Sequence, residues 1–324
     1  MRIAFVGKGG SGKTTLAALF TRYLAELNRP VLAIDADINQ HLAAALGLTG
    51  QVAPRPLGAD LRWLKDHLRG TNPRIPSADA MIKTTPPGRG SRLLGLTEDD
   101  AVLSRYAVPV GPGSEEVAGA RLMVTGEFDS EDIGVSCYHA KTGAVELYLN
   151  HLVDGPGEYV VVDMTAGADA FASGLFTRFD LTVLVSEPTQ RGIGVYRQYL
   201  TNAAGHRVAL RVAGNKVTDQ ADADYLAEQV GPALLATVGN SGWVRAAERG
   251  APMPLDSLEP ANRAALDAIL TALDGAQRDW AAYHRDTLDF HLRNARAWAN
   301  QSLGQDLSTQ IDPDFLPAAA IAST

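Results

Sequence analysis

Residues 7–15 read Gly7-Lys8-Gly9-Gly10-Ser11-Gly12-Lys13-Thr14-Thr15, and their neighbours give the stretch its meaning. The apolar run Ile3-Ala4-Phe5-Val6 comes directly before it, and an apolar-periodic run from Leu16 to Leu27 follows. Strand, glycine loop and helix in that order are the setting a phosphate-binding loop requires, and Gly7 to Thr14 matches G-x-x-x-x-G-K-[ST] at each fixed position. The chemistry follows from the residue types. Gly9, Gly10 and Gly12 can take positive φ and carry no Cβ, so consecutive backbone N–H groups converge on phosphate oxygens. The helix that starts here adds its unpaired N–H groups and the positive end of its dipole. Ser11 and Thr15 belong to the same binding stretch. Lys13 is expected to reach the β- and γ-phosphates of ATP, and the Thr14 hydroxyl to ligate Mg²⁺.

Composition is ordinary for a globular enzyme: 324 residues, 46% hydrophobic and 20% charged. The net charge of −8 gives no global attraction to nucleic acid or to anionic lipid. No apolar run is long enough to span a bilayer, and the chain enters its first strand without a signal-peptide pattern, so a cytoplasmic protein is expected. One cysteine permits no internal disulfide and fits a reducing compartment.

Strand and helix patterns alternate along the chain. Strands are predicted at 2–6, 30–35, 120–125, 159–164, 181–186, 208–213 and 233–238. Most are continuous apolar runs, as parallel strands buried on both faces should be. Helices are predicted at 14–27, 40–46, 61–68, 141–152, 193–202, 222–230 and 262–273. The alternation predicts an α/β fold, a doubly wound and mostly parallel sheet flanked by helices, over residues 1–274. Residues 69–117, weakly patterned and rich in Pro, Gly and Arg, read as an irregular insertion. A helical extension is expected at 275–303, with Trp280, Tyr283, Leu288, Leu292, Ala295 and Trp298 as one apolar stripe for packing. Residues 304–324 read as a loose tail.

Acids stand where such a sheet binds ligands. Asp35 and Asp37 follow the second strand, and Val160-Val161-Val162-Asp163 is an apolar strand ending in a carboxylate suited to hold Mg²⁺ through water. Met164 to Ala168 follows as a segment whose glycine permits rearrangement with the γ-phosphate.

Lys8 to Thr15 also satisfies K-G-G-x-G-K-[ST]-[ST]. In this it resembles the deviant Walker A ATPases, the family of MinD, ParA, ArsA, the nitrogenase iron protein and the nickel-insertion ATPase CooC. The resemblance implies a homodimer in which Lys8 crosses to the partner's phosphates, as an arginine finger does. It also implies that Asp35 supports the Mg²⁺ water shell, that Asp37 orients the attacking water, and that Asn215 and Lys216 recognise adenine. Val160 to Gly167, Glu187-Pro188 and Asn215-Lys216-Val217 look most like the CooC branch. The resemblance covers about residues 1–273, with 48–118 aligning poorly.

One departure matters. Where that branch carries Cys-x-Cys, this chain has Val135 and Cys137. Two copies then supply two thiolates rather than four, and a Zn²⁺ or Ni²⁺ site would need His139 beside Cys137 from each subunit. The stretch 311–324 has two aspartates and no Lys or Arg, so membrane binding is not expected. Arg285, Arg293 and Arg296 share their helix with Asp279, Asp286 and Asp289, which leaves nucleic-acid binding unsupported. The expectation is an ATPase that matures a metallocentre on a protein client. A positioning or regulatory switch of the MinD/ParA type is the alternative.

Overall fold

The computed structural model describes residues 1–48, 54–96, 100–110, 119–126, 139–251 and 253–317. The first half of the chain runs β1 (Arg2–Gly7), α1 (Lys13–Glu26), β2 (Val31–Ala36), α2 (Leu42–Ala45), α3 (Leu61–Arg69), α4 (Ala101–Tyr106), β3 (Val108–Pro109), β4 (Ala120–Val124) and α5 (His139–His151). Then come β5 (Tyr159–Met164), β6 (Leu181–Ser186), α6 (Gln190–Ala203), β7 (Leu210–Val217), α7 (Gln220–Val230), β8 (Leu234–Gly239), α8 (Gly242–Glu248) and α9 (Pro260–Asp274). The C-terminal part holds α10 (Trp280–Asn294), a π-helical turn at Ala295–Ala299, and α11 (Asn300–Leu303).

Among the described residues the strands form one sheet in the order β3-β4-β2-β5-β1-β6-β7-β8, parallel except for β3. The physical origin is visible in β1. Ile3 and Phe5 pack into the core on one face with α1 and α9, while Ala4 and Val6 pack into the other with α5. All of β1 is buried, so neither face can be polar and the apolar run is continuous. After β1 the chain winds to one side of it, and from β6 onward to the other. This reversal opens a crevice at the carboxyl ends of the strands next to β1.

Residues 69–117 are less irregular than expected, since they contain α4 and the antiparallel edge strand β3. Asp100 caps α4, accepting from the N–H groups of Val102 and Leu103.

The C-terminal extension packs through part of the expected stripe and through polar residues beside it. Trp298 is 45% exposed, whereas Tyr283, Thr287, His291, Ala295 and Ala299 are buried. Arginines decide this. Arg2, fully buried at the start of β1, donates to Asp154 at 2.7 Å and to the Leu149 carbonyl at 2.9 Å, and bonds the Tyr283 hydroxyl. Arg178 bonds Thr287 in the same way. Arg278 grips Asp154 at 2.7 and 2.8 Å and Asp180 at 2.8 and 2.6 Å. Among the described residues after α11, Leu307, Gln310 and Asp312 are buried, and Asp312 pairs with Arg89 at 3.0 Å. The contacts of Arg2, Arg178 and Arg278 lie at the amino ends of β1 and β6, at the opposite ends of these strands from the crevice. Among the described residues no helix is long and apolar enough to cross a membrane.

Candidate nucleotide site

The loop after β1 carries its conformation in its glycines. Gly10 has φ +80° and Gly12 φ +95°, both in the left-handed region. Gly12 is the N-cap of α1, with no side-chain cap and no acid in the first turn. Elsewhere that would waste the helix's unpaired N–H groups; here it aims them at the crevice. A Cβ on Gly12 would run into the Asn215 amide, while one on Gly10 would meet nothing within 4 Å.

A cavity of about 780 Å³ opens over this loop. It is lined by Gly9, Gly10, Gly12, Lys13, Thr14, Thr15, Asp37, Asn215 and Lys216 of the expected residues, joined by Asn39, Asn240, Ser241, Trp243 and Arg245. The volume suits a nucleotide-sized ligand. Ser11 lies beneath the loop, its hydroxyl buried without a hydrogen-bond partner.

Under the loop sits a compact charge cluster. The Lys13 ammonium pairs with Asp37 and lies 3.6 Å from Asp163. Burial alone would lower the Lys13 pKa, but Asp163, then Asp37 and Asp35, hold it above its usual value. Thr14 donates its hydroxyl to Asp163 at 2.5 Å. Burial pushes Asp163 up to about 6 despite Lys13, and pushes Asp35 up to about 7, helped by the charge on Asp163. Three carboxylates thus surround one lysine, a surplus of negative charge that a divalent cation would relieve. Thr14 and Asp163 offer the hard oxygen donors Mg²⁺ prefers, and Asp163 Oδ1 is buried with no hydrogen-bond partner. The residues present fit that ion.

Asp35 also has a structural task. One of its oxygens accepts from the N–H of Asp37 at 3.1 Å and the other from the N–H of Leu42 at 2.8 Å. Through these two bonds Asp35 braces the loop that carries Asp37. Gln40 completes that loop at φ +50°, donating to Thr125 Oγ1 at 2.7 Å. Nothing in its residue type signalled this role. Asn215 spends its amide N–H on the Ser11 carbonyl at 2.7 Å, and Lys216 donates to the Gly10 carbonyl at 2.8 Å. Both therefore shape the phosphate loop from β7. Lys8 does not line the cavity; it lies 3.3 Å from Glu187. Asn240 and Ser241 escaped sequence reasoning, although their position after β8 places them at a strand's carboxyl end, where ligands bind.

Cys137 lies outside the described residues, and His139 opens α5. Among the described residues no group of three or more His, Cys, Asp or Glu side chains is arranged to hold a metal by itself.

The CobQ/CobB/MinD/ParA nucleotide-binding domain model matches residues 3–279. The chain belongs to this family. It is accordingly a P-loop ATPase of the MinD/ParA group, with the mostly parallel sheet that the family's solved structures share. The carbon monoxide dehydrogenase accessory protein CooC of Rhodospirillum rubrum is 28% identical over 84% of this chain and 96% of its own length. An uncharacterized ATP-binding protein of Methanocaldococcus jannaschii is 27% identical over 79% of this chain and 92% of its own. Among solved structures, a ParA family ATPase from Chlorobium tepidum superposes with a TM-score of 0.56 at 16% identity, over 83% of this chain and 97% of that one. The MinC:MinD cell division complex of Aquifex aeolicus gives 0.52 at 19% identity, over 86% and 97%. At these identities the solved structures speak for the fold alone.

Proposed function

We propose that this member of the MinD/ParA family hydrolyses ATP as a nucleotide-switched homodimer and serves in the cytoplasm as a CooC-like maturation ATPase for a protein client. The observation that carries the reading is the double-lysine loop over the Lys13–Asp37–Asp163 cluster, which Thr14 joins through Asp163. Its parts have separable tasks. Loop N–H groups and Lys13 bind the phosphates, and a phosphate seated there competes with Asp37 for the Lys13 ammonium. Asp37 released in that exchange accepts a hydrogen bond from water and aims it in line at the γ-phosphorus. Thr14 and Asp163 would hold Mg²⁺, which supplies neutralisation of the phosphate charge when bound. Asp35 keeps Asp37 in place. Asn215 and Lys216, with Gly239 and Asn240, form the end of the cavity suited to the base. Lys8, outside the cavity of its own chain, serves the phosphates of a second copy. The client role rests on the similarity to CooC along most of the chain.

Lys8→Ala tests the reading. It should bind ATP with affinity within a few-fold of wild type, remain a monomer by light scattering, and hydrolyse ATP about 10³-fold or more slowly. A Lys8→Ala monomer with wild-type turnover would overturn the trans-acting role.

A further inference from the structure

Three charged side chains stand side by side at the carboxyl ends of neighbouring strands. Lys8 follows β1, Glu187 follows β6 and Lys216 lies near the end of β7; the pairings Gly7↔Val185 and Ser186↔Gly214 fix that adjacency. Lys8 Nζ lies 3.3 Å from Glu187 Oε2. Lys216 Nζ donates to Glu187 Oε1 at 2.6 Å and to the Gly10 carbonyl at 2.8 Å. One carboxylate therefore uses both oxygens to gather two ammonium groups beside the glycine loop. The hydrogen bond from Lys216, with further help from Lys8, holds the Glu187 carboxyl below its usual range against the effect of burial. It stays ionised at neutral pH.

Resting on the dimer reading above, we propose that Glu187 is a latch that parks Lys8 on its own subunit, so that the ATP-bound dimer forms only as Lys8 leaves Glu187. The two engagements of Lys8 exclude each other, because one ammonium cannot lie against Glu187 and reach phosphates across an interface. The loop permits the exchange. Lys8 is flanked by Gly7 and Gly9; a Cβ on Gly7 would press on Ser11 Oγ and the Val185 carbonyl at 2.7 Å, so that side is fixed, whereas one on Gly9 would meet nothing within 4 Å, so the loop is open on the other. The latch is also weak enough to open. The Lys8 and Glu187 side chains are 38% and 20% exposed, and an ion pair of that kind shifts an equilibrium by only about 1.5- to 5-fold. A two-fold dimer must open two latches, so their effects multiply to roughly 2- to 25-fold. Lys216 stays on Gly10 and keeps Glu187 in place to recapture Lys8 once the phosphates leave.

The test is sedimentation of the full chain with saturating non-hydrolysable ATP analogue and Mg²⁺, comparing wild type, Glu187→Gln and Lys8→Ala. Glu187→Gln should tighten the dimer several-fold at low salt, up to about 25-fold, with ADP affinity unchanged. The gap should shrink as salt screens the wild-type pair. Glu187→Asp, charged but one methylene shorter, should fall between them. If Lys8→Ala is monomeric while Glu187→Gln dimerises as wild type does, the latch is wrong and the dimer reading stands. Were Lys8→Ala to dimerise as tightly as wild type, the trans-acting lysine would fall and the latch with it.

Discussion

At the residue scale, the site is a problem of placing charge without water. Lys13 is shared among carboxylates that burial alone would neutralise, and the glycines keep the space above it clear. Gly12 is the position with least freedom. Gly12→Ala would force a Cβ into the Asn215 amide at a φ of +95°. The strain is about 1–3 kcal/mol, and calorimetry should show ATP binding weakened roughly 10- to 100-fold with the fold retained. Unchanged affinity would mean that the loop is not the phosphate cradle. These residues were legible because glycine, lysine and threonine at fixed spacing admit few other uses. The bracing by Asp35 and Gln40 was not, because a carboxylate's partners depend on which backbone N–H groups the fold brings to it.

A second residue gives a pH signature outside the site. Glu146 of α5 is buried, and burial raises its pKa from 4.5 to about 7; its Oε2 has no hydrogen-bond partner. Because the folded value is the higher one, the folded chain binds the proton more tightly across that interval. Stability therefore falls as pH rises from about 4.5 to about 7, then levels off. Glu146→Gln removes the ionisation. Its melting temperature should exceed that of wild type by several degrees at pH 8, a difference on the order of 3 kcal/mol, and the gap should close near pH 5. An equal offset at both pH values would refute the burial cost.

At the element scale, the C-terminal extension shows how tertiary partners override a hydrophobic pattern. The sequence places Trp280, Tyr283, Leu288, Leu292, Ala295 and Trp298 on one stripe; of these Tyr283 and Ala295 are buried, but Trp298 is exposed and the polar Thr287 and His291 turn inward beside them. Arg2 and Arg178 are buried on the sheet side and need oxygens, and this polar stripe supplies them. The Tyr159–Met164 and Leu181–Ser186 strands, by contrast, came straight from apolar runs. Asp154 is held well below the usual carboxylate range, since Arg2, Arg278 and the chain's amino terminus outweigh its burial. Arg278→Ala would leave Asp154 and Asp180 short of a buried partner. Denaturant unfolding should show a loss of about 3–5 kcal/mol, while ATP affinity of the folded variant stays as in wild type because the cavity lies at the opposite ends of the strands. A loss below about 1 kcal/mol would make the clamp an ordinary surface pair.

At the scale of the whole molecule, the proposed homodimer bounds the metal that two copies could share. One cysteine per chain limits a dimer to two thiolates. Metal analysis of the proposed ATP-bound dimer should find at most one Zn²⁺ or Ni²⁺ per dimer, lost in Cys137→Ala. Metal retained by that variant would remove Cys137 from any such site and favour a switch without a metal role. The amino-acid sequence by itself determined the sheet, the loop and the acids at strand ends, because periodicity and short motifs are local properties of the chain. Only the tertiary structure decided what Asp35 braces, how the C-terminal helix is turned, and that Lys8 rests on Glu187. Each of those depends on strands and helices distant in sequence meeting at a few ångströms, and electrostatics at that range answers to position rather than to residue type.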